Sequence, residues 1–171
     1  GNKPRANLLP IVSALGTLPF MNMPAHEFDL AVIGAGPAGA YLAWRAASAG
    51  KTVALYDPKA PWEKPCGGGV THKAYERFAM LSDPSLARRE VFCSIQISQT
   101  GRFFVIDEGR PLFMVSRKDL SKHMLEQAKK AGAVHFAEKV TGIEKGAKGY
   151  WIESAGHRRF ASLIVGADGV R

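Results

Sequence analysis

Two cysteines in 171 residues leave little room for the usual chemistries of that side chain. Cys66 and Cys93 show no Cys-x-x-Cys spacing and no neighbouring histidine cluster. That argues against a zinc site and against a disulfide framework, and it suits a reducing, cytoplasmic compartment. The histidines (His26, His72, His123, His135 and His157) are dispersed and compose neither a triad nor a metal set, so no metal is expected. No stretch offers the ~20 uninterrupted apolar residues that a membrane span needs. Internal repeats and low-complexity tracts are missing as well. Aromatic residues make up 9% of the chain and are not interleaved with a basic groove, so nucleic acid is not an expected partner.

Charge of one sign is in modest excess: 23 Lys and Arg against 15 Asp and Glu give a formal +8. The basic residues come as pairs (Arg88-Arg89, Lys129-Lys130, Arg158-Arg159) and form no tract. Such scatter reads as a solvated surface that also attracts anions, whether cofactor phosphates, a phosphorylated substrate or an acidic membrane to which the protein binds peripherally. Lys3 and Arg5 precede an apolar run from Leu8 to Phe20 that loosely imitates a secretory signal, but Pro10, Gly16 and Pro19 break it. Residues 1–26 are therefore expected to be a disordered or extraneous extension.

What is present begins at Asp29-Leu-Ala-Val-Ile-Gly34-Ala-Gly36-Pro37-Ala38-Gly39. An apolar run enters a glycine turn and an alanine-rich segment follows, the pattern of a buried strand feeding a helix. The first glycine permits the tight turn, the second lets a pyrophosphate approach the main chain, and the third lets helix and strand pack closely. The phosphates then meet the N–H groups at the positive end of the helix. Asp57 closes a second apolar run about 20 residues further on, where a carboxylate accepts hydrogen bonds from an adenosine ribose. This fingerprint by itself does not separate FAD from NAD.

Strand 28–33, helix 37–49 and strand 52–57 make one right-handed unit with parallel strands, and Gly50 stops the helix. A loop from Pro58 to Gly69 holds three prolines and three glycines. Thr71 caps a short helix to about Met80. Alternation over 94–99 and 102–106 predicts an antiparallel hairpin, and 112–115 a further short strand. Ser116 then opens a helix whose apolar face is Leu120, Met124, Ala128 and Ala131, ended by Gly132. Residues 133–136 read as a third parallel strand, 140–144 and 150–154 as a hairpin, and 160–165 as a last strand running into Gly166-Ala-Asp168-Gly169. Cys93 reads as a core residue. The expected class is α/β, a parallel-sheet nucleotide-binding domain over 27–171, interrupted at about 92–115 by antiparallel strands of another, incomplete domain.

Four pieces stand in order: the glycine turn with Asp57, Lys64-Pro-Cys66-Gly67-Gly68-Gly-Val70, Ser116-Arg117-Lys-Asp-Leu120, and Gly166-Ala-Asp168-Gly169. Together they resemble the flavoprotein family of aromatic-ring hydroxylases and geranylgeranyl reductases, over roughly residues 27–171. The resemblance implies a Rossmann-like FAD-binding domain in which Gly34, Gly36, Pro37, Ala38, Gly39 and Asp57 hold the ADP half. It implies that Arg117 lies near the phosphates and ribityl chain, and that Asp168, between Gly166 and Gly169, meets the ribityl hydroxyls. Pro-Cys-Gly-Gly resembles the signature of the geranylgeranyl reductases, which saturate isoprenoid double bonds. It implies that Cys66, Gly67 and Gly68 border the isoalloxazine, with Cys66 the one residue given a part in the chemistry.

Members of the family carry about two to three domains' worth of chain. Most of the substrate domain and a later glycine–aspartate segment are therefore expected outside these 171 residues, and no second glycine-rich unit encodes a separate NADPH domain. NADPH or another reductant is the implied electron donor. The expected function is the FAD-binding part of an isoprenoid reductase. A flavin monooxygenase or halogenase of the same fold is the alternative, and a non-catalytic nucleotide-binding fragment is another.

Overall fold

The computed structural model describes residues 27–63 and 65–169, so the extension assigned to 1–26 lies outside the described residues, as do Lys64, Val170 and Arg171. The chain begins with β1 (Glu27–Ile33), α1 (Pro37–Ser48) and β2 (Val53–Tyr56). After a long loop come β3 (Gly69–Val70), α2 (His72–Arg77) and a short 3₁₀ turn (Ala79–Leu81). Then follow β4 (Arg88–Ile97), β5 (Phe103–Val115) and α3 (Arg117–Lys130). The last four strands are β6 (Val134–Phe136), β7 (Val140–Lys145), β8 (Tyr150–Ser154) and β9 (His157–Gly166).

The main sheet runs β6-β2-β1-β9-β8-β7. Its first four strands are parallel, and β8 and β7 continue it in antiparallel fashion. Small residues bring α1 down onto it: Gly39, Ala40, Ala43 and Ala47 are the buried face of that helix. Of these, Ala43 and Ala47 meet Leu30 and Val32 of β1, Val53 and Leu55 of β2, and Leu125 and Ala128 of α3 in one core cluster. Ala31, Ala54 and Tyr56 join a second cluster with Phe28, Ile152 and Ala161. A third, of Ala40, Met80, Leu86, Val115, Leu120 and Met124, ties the 3₁₀ turn and the end of β5 to both helices.

The remaining strands form a separate sheet of order β3-β5-β4. Here the structure departs from the sequence reading. The strands expected at 102–106 and 112–115 are one continuous β5, and β4 starts at Arg88 rather than near Ser94. The pairing passes from Cys93↔Asp107 to Val91↔Leu112, so 108–111 arch out, with Gly109 at φ +62°. Gly109-Arg-Pro111 reads as a break in sequence but is absorbed as an irregularity of the ladder. Cys93 is exposed, not a core residue, because it sits on the part of this hairpin that no other described element covers. A tight turn at Ala155 and Gly156, both at positive φ, also extends β9 back to His157.

Candidate functional site

Register places the site. Ile33 of β1 pairs with Tyr56 of β2 on one side and with Gly166 of β9 on the other, so three parallel strands end level. The residues that follow them are Gly34, Asp57 and Ala167–Gly169, and all converge at the carboxyl edge of the sheet, where open α/β sheets bind ligands. Gly34 N–H donates to Tyr56 O at 2.7 Å and Ala167 N–H to Ile33 O at 2.7 Å, tying the three ends together.

The three glycines of the turn have different causes. Gly34 has φ +100°, and a Cβ there would lie 2.5 Å from Ala167 O. A Cβ on Gly39 would lie 1.9 Å from Gly34 O. Both are demanded by the fold itself. Gly36 has φ −64°, which any residue adopts, and no described atom would come within 4 Å of its Cβ. The space over Gly36 is kept clear although no neighbouring part of the protein fills it. Gly36 is the N-cap of α1, Pro37 follows at the first helical position, and neither a capping side chain nor a first-turn acid stands there. The first-turn N–H groups thus have no acceptor within the helix.

A cleft of about 220 Å³ opens over this helix start, lined by Gly34, Gly36, Pro37, Ala38, Asp57, Trp62, Arg117, Leu120, Ser121, Ala167, Asp168 and Gly169. A second cleft of about 440 Å³ shares Gly34, Asp57, Trp62 and Asp168 with it and continues past Tyr56, Lys59, Glu138, Lys139 and Val140. A third, mostly apolar cavity of about 430 Å³ shares Pro37, Ala38, Arg117 and Leu120 and runs on between α1, α2 and α3 past Gly69 and Val70.

Asp57 stands where the first two clefts meet, and it does more than face them. Its Oδ2 accepts from Ala35 N–H at 2.9 Å, and its Oδ1 accepts from Lys59 and Ala60 N–H at 2.8 and 3.1 Å. The carboxylate therefore pins the glycine turn to the loop after β2 and keeps lone pairs for a further donor. That loop carries Trp62 over both clefts, 38% exposed, and Glu63 Oε2 then accepts from Lys118 N–H at 3.1 Å in the first turn of α3. Trp62 escaped the sequence reading. Its signal was a single aromatic among the prolines and glycines of a loop.

Arg117 is the first residue of α3, whose cap Ser116 accepts from Asp119 N–H at 3.1 Å. Asp168 lines the first two clefts, and Gly169, at φ +84°, lines the first. Behind the second cleft, burial pushes the Tyr56 phenol up, a shift that the Arg159 guanidinium opposes. Hydrogen bonds from Ser154 and then Arg159 hold Glu138 below the usual carboxylate range. Among the described residues no group of His, Cys, Asp and Glu could hold a metal ion, and no helix is long and apolar enough to cross a membrane.

A family model described as an NAD(P)-binding Rossmann-like domain matches residues 32–73. A geranylgeranyl diphosphate reductase of Rhodobacter capsulatus is 38% identical over 162 residues, covering 84% of this chain and 38% of that protein. Digeranylgeranylglycerophospholipid reductase 1 of Methanopyrus kandleri is 30% identical over 84% of this chain and 40% of its own. An uncharacterized Methanosarcina barkeri protein from the nifH2 5' region is 33% identical and is matched over 85% of its length, with 86% of this chain. The chain belongs to the geranylgeranyl reductase family. It spans about two fifths of the length of the two named reductases.

Solved structures show the same fold. A geranylgeranyl bacteriochlorophyll reductase-like protein of Thermoplasma acidophilum superimposes with a TM-score of 0.70 at 23% identity, over 84% of this chain and 39% of its own. The halogenase PltM, in complex with phloroglucinol and FAD, gives 0.67 at 22% identity, over 82% of this chain and 34% of its own. Within this member of the reductase family, the described residues of the Pro-Cys-Gly-Gly loop are not among those that line the first cleft. Cys66 is exposed, and Cys66, Gly67 and Gly68 line none of the three cavities. Gly68 has φ +71°, accepts from Val115 N–H at 3.0 Å, and would place a Cβ 2.0 Å from Val115 O. That glycine is needed to join the loop to β5. Gly39 and Gly166 are likewise not cavity-lining: the one packs α1 on the turn, and the other ends β9.

Proposed function

We propose that this chain is the FAD-binding portion of a flavin-dependent oxidoreductase that reduces isoprenoid C=C bonds. Gly36 carries the reading. Its backbone is ordinary and its Cβ would meet open space, so the glycine is explained by a ligand that must touch the main chain. The charge pattern suits a dinucleotide. Donors at the start of α1 and Arg117 line the first cleft together with the carboxylates of Asp57 and Asp168, which suit hydroxyls. On this reading Asp57 takes the adenosine ribose, the second cleft takes the adenine beside Trp62, and Asp168 with Gly169 takes the ribityl chain. Cys66, Gly67 and Gly68 would border the ring end only beyond the first cleft, next to Gly69 and Val70, which line the third cavity.

FAD supplies hydride transfer to the double bond, and the protein supplies its orientation. The relatives named as reductases of geranylgeranyl compounds support an isoprenoid or lipid substrate, and a formal +8 suits docking from the cytoplasm on an anionic membrane surface. NADPH or another reductant would supply the electrons. The domain would run from residue 27 onward, with the β3-β5-β4 sheet as its insert.

The test is a fluorescence titration of this chain with FAD, followed, in a full-length protein that carries this portion together with a substrate domain, by an anaerobic assay with chemically reduced FAD and a geranylgeranyl substrate. Hydrogen gain by the substrate without oxygen is the expected outcome. Flavin binding with an oxygen-dependent product would instead favour the monooxygenase or halogenase alternative, for which the PltM likeness shows fold alone. Failure to bind any adenine nucleotide would sink both.

A further inference from the structure

The glycine turn and α3 both line the first cleft. Arg117, Leu120 and Ser121 follow the i, i+3, i+4 spacing that puts side chains on one helix face, and all three line the cleft. Two of them carry polar atoms that are buried yet unsatisfied. Arg117 Nε and Ser121 Oγ are shielded and have no hydrogen-bond partner among the described residues. A serine within a helix ordinarily returns its hydroxyl to the carbonyl one turn back, and Ser121 makes no such bond. A buried polar group left alone is destabilising. The other such atoms, on Tyr56, His72 and His123, belong to residues that do not line this cleft.

We propose that Ser121 is a further cofactor-binding residue, its hydroxyl donating together with Arg117 to the diphosphate of the dinucleotide. This rests on the FAD reading above. Asp57 and Asp168 repel an oxyanion, which leaves the other polar groups of the cleft, the first turn of α1 and the Arg117–Ser121 face of α3, as its donors. The diphosphate is then held by two elements: by N–H groups at a helix start, and by a guanidinium and a hydroxyl one turn apart.

The experiment is Ser121→Ala in the full chain, titrated with ADP, AMP and FAD beside wild type, Ser121→Thr and Gly36→Val. ADP and FAD should bind Ser121→Ala about tenfold more weakly, the loss expected of one hydrogen bond to a charged group. AMP, which lacks the second phosphate, should lose clearly less, and threonine should restore binding. Without ligand, Ser121→Ala should melt no lower than wild type, because it removes an unsatisfied hydroxyl and adds a better helix former. A lower melting temperature without ligand would mean that the hydroxyl is bonded within the fold, and the inference would fall. Wild-type ADP affinity in Ser121→Ala, with binding abolished in Gly36→Val, would overturn the role of Ser121 and leave the FAD reading standing. If wild type bound neither ADP nor FAD, both would fall together.

Discussion

Gly34, Gly36 and Gly39 occupy one turn for three separate reasons, and mutation separates them. Gly34 holds a backbone conformation that side chains rarely adopt, and Gly39 touches the carbonyl of Gly34. Substitution at either strains the fold by more than about 1 kcal/mol. Gly36→Val differs in kind. It places its side chain in open space at an N-cap, so the protein without ligand should lose no more than about 1 kcal/mol. FAD binding should be abolished, because the new side chain fills the room of the diphosphate. Thermal melts and fluorescence titration of the same preparation check both halves. A variant that binds FAD like wild type would reduce the turn to a structural device.

At the scale of elements, the seam joining β8, β9 and the segment after β6 depends on one ion-pair cluster. Arg159 Nη1 donates to Glu138 Oε2 at 2.9 Å and to Ser154 Oγ at 2.9 Å, while Ser154 Oγ donates to Glu138 Oε2 at 2.7 Å. Ser154 is fully buried, and the guanidinium also lies 4.0 Å from the Phe136 ring centroid. Glu138 is held below the usual carboxylate range, so its folded form favours the charged state. The stability it contributes is therefore present above the ordinary glutamate range and lost as pH falls through the depressed value. Glu138→Gln should cost about 1–3 kcal/mol near pH 7, since Arg159 loses its charged partner. Its melting temperature should then change less than that of wild type as pH is lowered through about 4. Parallel acid limbs for the two proteins would place the acid sensitivity elsewhere.

At the scale of the whole molecule, no other described element covers one end of the β3-β5-β4 sheet. The register pairs Ile95 with Val105 and Ile97 with Phe103, and side chains directly opposite in an antiparallel pair share a face. That face is apolar and open: Ile97 is 73% and Phe103 68% exposed. Contiguous exposed apolar surface of this kind drives association, and β4 is also an edge strand. Ile97→Lys with Phe103→Lys should lower light scattering and binding of a hydrophobic dye at high protein concentration. FAD affinity should stay unchanged, because neither residue lines a cleft. Unaltered scattering would show that this face does not cause association.

What the sequence by itself determined is local in origin. The first strand–helix–strand unit was legible because an apolar run, three spaced glycines and an alanine-rich helix each report on neighbours a few residues away. The caps at Thr71 and Ser116 hold for the same reason, with side chains accepting from Ala74 and Asp119 N–H. The parallel pairing of β1 and β2 followed from crossover handedness, whereas the place of β6 beside β2 did not. The tertiary structure decided whatever depends on residues distant in sequence. Only folding brings the ends of β1, β2 and β9 level, lets Asp57 brace the turn it faces, and carries Trp62 back over both clefts. Only the packing of α3 near that edge brings Ser121 and Gly36 to one cleft. Cys93 was misread for a related reason: apolar alternation marks which face a residue takes, but burial needs a second layer, and none of the described elements supplies one there.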